Sequence, residues 1–257
     1  MPSIKPIRRG EFEGKYWKPI LNFTFAAKDT IVPLTGTELS KACLTRPVAL
    51  FRRGEQFVFV AVQGFEPQKN LLVMPDGKWL GGYIPAAYRG YPFAIAQDQN
   101  GKEILCIDED SGLINESEGQ PFFDESGEAT KTLKDLMQFL MTVRQDALRT
   151  QKAVDAIQAA GLIKEWSIKL GTGDDAKALK GFFKVDEQAL NDLDPEQFEE
   201  LRQKGALPLI YSHLISLQHM KALAQLAQKR AEIEVVPDIE ELFGEKDDSI
   251  SFDFDNL

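Results

Sequence analysis

Histidine and cysteine are scarce in this chain. Its 257 residues hold two of each: His213 and His219, Cys43 and Cys106. Two cysteines supply neither a disulfide framework nor a cysteine-based zinc site. Each lies in an apolar run, KACL or ILCID, where a free thiol packs as a small hydrophobe. The histidines sit six apart in a stretch that reads as one helix, so they face different ways; metal pairs on helices need spacings of three or four. No metal or cofactor is expected. The phosphate-loop spacing is missing, and GTGDDAK leads into strand-like rather than helical sequence. A calcium loop starting at Asp108 fails, because Gly112 falls at position 5 and Gly119 at position 12. No apolar run approaches the roughly 20 residues of a membrane helix, and no apolar core follows the basic opening MPSIKPIRRG. The expectation is a protein without a membrane span that is cytoplasmic, or exported without a cleavable signal peptide.

A basic surplus is missing as well. The net charge is −10, but Glu232–Leu257 carries ten acidic residues and one lysine. The remainder is almost balanced, with 29 basic and 30 acidic residues. A balanced body offers no broad grip on nucleic acid, which is disfavoured as a partner. The division reads as one domain over residues 1–231 and a solvated acidic tail over 232–257.

The pattern changes halfway along. Residues 1–30 read as irregular apart from a strand-like run, ILNFTFAA. Thr35 or Thr37 caps a short helix near Glu38. Val48–Phe51 and Phe57–Val62 flank RRGEQ as a hairpin whose second strand, apolar on both faces, should be covered on both. NLLVMPDGKWLGGYIP reads as a second hairpin around Asp76-Gly77, and EILCIDEDSGLIN as a strand and polar turn. From Thr130 to Ala160, Leu133, Leu136, Met137, Leu140 and Met141 recur at helical spacing, with Gly161 as a stop. LIKEWSIKL and KALKGFFKV read as hairpin arms. Asp194 caps a helix with Pro195 in its first turn, and LPLIYSHLISLQHMKALAQLAQKRA reads as one long amphipathic helix. The fold class is α+β: an antiparallel, β-rich first half packed against helices mostly from the second, in one compact unit.

Candidate chemistry is thin. His213 with Ser216, or with Asp108, is the available acid–base set, yet there is no G-x-S-x-G elbow. The alternative is that His213 and Ser216 lie on the core side and bond locally. More distinctive is GKWLGGYIPAAYRGYPFAI, which gathers Trp79, Tyr83, Tyr88, Arg89 and Tyr91 in a stretch broken by proline and glycine. Trp, Tyr and Arg are the residue types that anchor interfaces. Phe93 and Ile95 belong to the core; the middle, Tyr83 to Arg89, could face a ligand.

That stretch, followed by LCIDEDSGLINESEGQPFFDESGEAT, GFFKVDEQAL and GALPLIYSHLISL in this order and spacing, resembles the SapC family of bacterial proteins from about Val32 to Leu223. The resemblance implies a surface-layer (S-layer) or cell-envelope setting. A peptidase label sometimes accompanies the family, but no serine, cysteine or metal motif for it stands here. The chain departs from the family pattern in three places. KYWKPILNFTFAAKDTIVPL lacks a histidine usual before the PL element. Arg89-Gly90 stands where two arginines are common. The acidic tail runs past the usual end.

Three functions follow. The first is a non-catalytic module binding a peptide or protein through the aromatic loop. The second is a hydrolase using His213 with Ser216 or Asp108. The third is recruitment of a partner through the tail, whose DDSISFDFDNL resembles the acidic, Phe-bearing tips of single-strand DNA-binding proteins. Phe252 and Phe254 would enter a basic pocket on another protein or on this one. The pattern does not specify an oligomeric state.

Overall fold

A computed structural model describes residues 3–170 and 177–234. The chain opens with β1 (Ile4–Pro6), α1 (Arg9–Phe12) and β2 (Tyr16–Trp17), a 3-10 turn at Thr24–Ala26, then β3 (Ile31–Pro33), α2 (Gly36–Ala42) and the hairpin β4 (Val48–Arg53) and β5 (Gln56–Val62). Next come α3 (Ala86–Arg89), β6 (Phe93–Gln97), β7 (Glu103–Asp108), β8 (Ile114–Asn115) and β9 (Gln120–Pro121). Then follow α4 (Lys131–Ala159), β10 (Ile163–Glu165), β11 (Ile168–Leu170), β12 (Lys177–Leu179), β13 (Phe182–Val185), α5 (Glu187–Asn191), α6 (Pro195–Gln203), α7 (Ala206–Ser216) and α8 (His219–Glu234). Among the described residues all the strand pairings are antiparallel, and the class is α+β.

The main sheet has the order β10-β13-β4-β5-β3. Alternation along the hairpin decides which side chain meets which layer. Val48, Leu50, Phe59 and Ala61 face a core shared with α4, α6 and α7. Ala49, Val60 and Val62 face a second core, closed by Leu71, Leu72, Ile168 and Leu223 of α8. The strand expected to be covered on both faces is so covered. A third cluster, Phe12, Trp17, Phe93, Leu105, Ile107 and Phe122, lies between the sheets β1-β7-β6 and β8-β2-β9.

Helix α4 joins the first cluster to the third. Thr130 caps its start by accepting from Leu133 N, and Gly161 stops it at φ 68°. Its first turns put Leu133, Leu136, Met137 and Leu140 on the third cluster, and its last put Ala153, Val154 and Ile157 on the first. At 1.5 Å per residue its 29 residues span about 43 Å. Its middle therefore bridges a gap between two cores.

Three sequence expectations change. ILNFTFAA is a 3-10 turn rather than a strand, because Asn22 Oδ1 accepts from Thr24 N and Oγ1 and folds the chain on itself. The second hairpin shrinks to one bridge, Val73 with Trp79, because the chain turns away through Gly81 towards Arg46. The long C-terminal helix is two helices, α7 and α8. Ser216 Oγ donates to the His213 carbonyl at 2.6 Å, and Leu217 N turns to Leu214 O instead. His213 and His219 thus stand on different helices. The GTGDD turn lies outside the described residues between two paired arms, and so does the chain from residue 235 onward, including Phe252 and Phe254.

The tight turn at Asp76-Gly77 holds, with Gly77 at φ 82° and its amide donating to Met74 O at 2.8 Å. An added Cβ there would lie 2.7 Å from Asn22 Cβ. Gly77→Ala is expected to lower stability by about 1–2 kcal/mol, the cost of a left-handed non-glycine residue. Urea unfolding checks it; an unchanged midpoint would show that the turn relaxes freely.

Candidate functional site

The aromatic segment is organised around two buried charges. Glu38, third residue of α2, is 4% exposed. Its Oε2 accepts from Thr35 N at 2.9 Å and Thr35 Oγ1 at 3.0 Å, and its Oε1 accepts from Ala86 N at 2.6 Å and Tyr83 Oη at 3.2 Å. One carboxylate thus caps a helix and fastens the loop before α3 to it. Arg46, 1% exposed, lies with its guanidinium 5.1 Å from the Trp79 ring and donates to the Tyr83 carbonyl. Burial brings its pKa down to about 10, against the pull of Tyr88, Tyr83 and Glu38, so it stays charged at neutral pH. Among the described residues its Nη1 has no hydrogen-bond partner, and neither has the buried Gln63 Oε1. Gln63 Nε2 donates to Tyr88 Oη at 2.7 Å.

The aromatic residues divide into two groups. Trp79 packs edge-on against Tyr88, 5.6 Å between centroids, and its Nε1 donates to Tyr83 O at 3.3 Å. Tyr88 is buried, and Tyr91 stacks on Phe25 at 3.9 Å. Tyr83 and Arg89 stand at the outer edge. Arg89 Nη2 donates to Tyr83 Oη at 3.0 Å, and its guanidinium lies 5.0 Å from the Phe139 ring of α4. Burial, then the Glu38 charge, push the Tyr83 phenol up.

Beside that edge runs a trough. Three adjoining hollows of about 630, 230 and 510 Å³ follow the middle of α4 along the start of α2. The largest and smallest share Thr35, Glu38 and Val143; the smallest and the third share Thr37, Asp146 and Arg149. Leu34, Val58, Val143, Leu148 and Phe139 supply apolar lining. Lys41, Arg89, Arg149, Lys152 and Lys204 supply cations, all exposed. Of the carboxylates, Glu38 is spent on its four donors. Asp146 accepts from Thr37 N at 3.0 Å and Thr37 Oγ1 at 2.6 Å. Burial raises the Asp146 pKa, but the hydrogen bonds from Thr37 and Thr35 outweigh it and hold the carboxyl below its ordinary value. Among the described residues, Lys41, Arg149, Lys152 and Lys204 close no ion pair, whereas Arg144 is held by Glu103 at 3.0 Å. A net-acidic protein therefore keeps a basic trough.

The comparison with known families follows from the same segments. A model of the SapC family matches residues 7–223. The chain belongs to the SapC family. The match starts earlier than the resemblance from Val32 suggested and takes in α1 and β2. No curated protein and no solved structure matches the chain.

In this SapC-family chain His213 and Ser216 are fully buried and committed to backbone. His213 Nδ1 lies 3.0 Å from Val48 O, and Nε2 accepts from Val185 N at 3.1 Å, which sets the proton on Nδ1. Ser216 Oγ accepts from Val48 N at 3.0 Å and donates to His213 O. These side chains tie α7 to β4 and β13; they form no nucleophile–base pair with each other. Burial, reinforced by Lys184 and only partly offset by the bond to Val48, lowers the His213 pKa to about 4. Asp108 ends β7 and accepts from Ser3 N and Asp110 N, in another sheet. Burial pushes both buried thiols, Cys43 and Cys106, up, away from the reactive thiolate. Among the described residues no three His, Cys, Asp or Glu side chains could hold a metal, and no helix is long and apolar enough to cross a membrane.

Sequence reasoning missed Lys41, Phe139, Arg149, Lys152 and Lys204. One signal was present: between Met141 and Ala153 the apolar positions of α4 thin to Val143, Ala147 and Leu148, with Arg144, Arg149 and Lys152 among them. Nothing local told which of those cations would share a hollow with Arg89.

Proposed function

We propose that this SapC-family chain is a non-catalytic binding protein in a surface-layer or cell-envelope context. It holds an extended segment of a partner protein in the trough beside Tyr83 and Arg89. The observation that carries this is the trough: a preformed concavity with apolar lining and a rim of solvent-facing cations, next to the segment bearing the family signature. Apolar anchors in such a groove supply affinity, and rim charges supply on-rate and register. Trp79, Tyr88 and Tyr91 hold the loop in shape, and Tyr83 and Arg89 meet the partner.

Arg89→Ala and Phe139→Ala decide between a binding and a structural loop. A tiled array of peptides from envelope proteins is probed with wild type and with each variant, after circular dichroism has checked folding. Peptides that wild type retains should bind at least tenfold more weakly, a loss of about 1.4 kcal/mol. If both variants keep every peptide at the same affinity, the loop only holds the fold together and the reading fails.

A further inference from the structure

The trough and the chain beyond α8 have opposite charge and matching apolar content. Residues 235–257 contain eight acidic residues and one lysine, with Phe252 and Phe254 near the end. On the trough Lys41, Arg89, Arg149, Lys152 and Lys204 all face solvent. We infer that in the resting protein the occupant of the trough is the chain's own segment 249–257, SISFDFDNL. This rests on reading the trough as a peptide site, and it names the chemistry of what the site accepts: an acidic peptide with alternate phenylalanines.

The pattern fits the geometry. In an extended segment Phe252 and Phe254 share one face, and Asp253 and Asp255 share the other. Laid along the trough, such a segment sets its rings against Phe139, Val143 and Leu148. Its carboxylates then come up to the rim, at Arg89, Arg149 and Lys152. Reach is sufficient. The described chain leaves α8 after Arg230 has bonded to Val73 O at 2.9 Å. The residues from 235 to 252 span up to about 55–60 Å when extended. The way round is short, because Val73 pairs with Trp79, whose Nε1 donates to the carbonyl of Tyr83, and Tyr83 lines the trough. Tethering gives the segment an effective concentration on the order of millimolar, so even a weak site would be filled and an incoming partner would have to displace it.

The test uses a fluorescent peptide of residues 246–257 with the full chain and with the chain ending at Pro237, which keeps every described residue. Anisotropy should show at least tenfold tighter binding to the shorter chain, because its trough is free. Joint Arg149→Glu and Lys152→Glu changes should weaken that binding tenfold or more, as should Phe252→Ala with Phe254→Ala in the peptide. In the full chain, p-benzoylphenylalanine in place of Phe254 should cross-link to the Phe139–Lys152 stretch at a yield independent of dilution. Equal binding to both chains overturns occupation by the chain's own tail. So do cross-links that vanish on dilution, which would point to a second copy. A peptide that binds neither chain, while envelope peptides still depend on Arg89 and Phe139, overturns this inference and leaves the peptide-binding reading standing. Loss of both overturns the two together.

Discussion

His213→Ala should cost about 3–5 kcal/mol of folding stability, among the largest effects of any single change in this protein. The side chain fills a buried site between α7 and the sheet, and its loss leaves Val48 O and Val185 N–H unpaired in the interior. An unsatisfied buried group costs about 1–3 kcal/mol, and the vacated volume adds to it. The urea midpoint should fall by roughly 1–2 M. Protonation tests the same contacts from another side. The folded pKa is depressed to about 4 from 6.5, so the unfolded chain binds the proton more readily. The contribution of His213 is complete above about pH 6.5 and is lost as pH falls towards 4, in total about 3 kcal/mol at 1.36 kcal/mol per unit. His213→Gln retains a donor and an acceptor but nothing that titrates in this range. Its stability should be flatter than that of wild type between pH 6.5 and 4. Parallel curves would show that His213 is not the group whose protonation loosens the fold.

Glu38→Ala should cost a comparable amount, about 3–5 kcal/mol, by a different route. It strips acceptors from Thr35 N, Ala86 N and Tyr83 Oη, and it removes a carboxylate near the buried Arg46. A buried charge that loses its compensation is costly, whereas exchanging the charges for apolar groups of similar size is often tolerated. Arg46→Met in the Glu38→Ala background should therefore recover part of the loss, giving a coupling above about 1 kcal/mol in a double-mutant cycle. Tryptophan fluorescence should shift in Glu38→Ala, since the Tyr83 segment it releases also holds Trp79 Nε1. A loss below about 0.5 kcal/mol, with no coupling to Arg46, would mean that other contacts hold the loop.

What could be read from the sequence was whatever local chemistry decides. The β4–β5 hairpin, the start and stop of α4, and the Asp194-Pro195 opening of α6 follow from alternation, caps and turn residues, and each stands where it was expected. The break between α7 and α8 was not legible, because it depends on a serine choosing its own helix carbonyl over solvent. The aromatic segment was legible as unusual but not as a cage. Its tryptophan and buried tyrosine make sense only once Arg46 and Glu38, some forty residues earlier, are placed beneath them. The trough was illegible for a similar reason. Its cations come from α2, α3, α4 and the turn before α7, and spacing in sequence says nothing about their convergence.

The continuity of α4 has a mechanical consequence. From Lys131 to Ala159 it contains neither proline nor glycine, the residues at which helices ordinarily bend. Both its ends are clamped in separate cores, so it behaves as a beam fixed at each support. The hollow along its middle cannot widen by flexing that beam. Any change of bore must come from swinging side chains such as Arg89 and Leu148, or from tilting one support against the other.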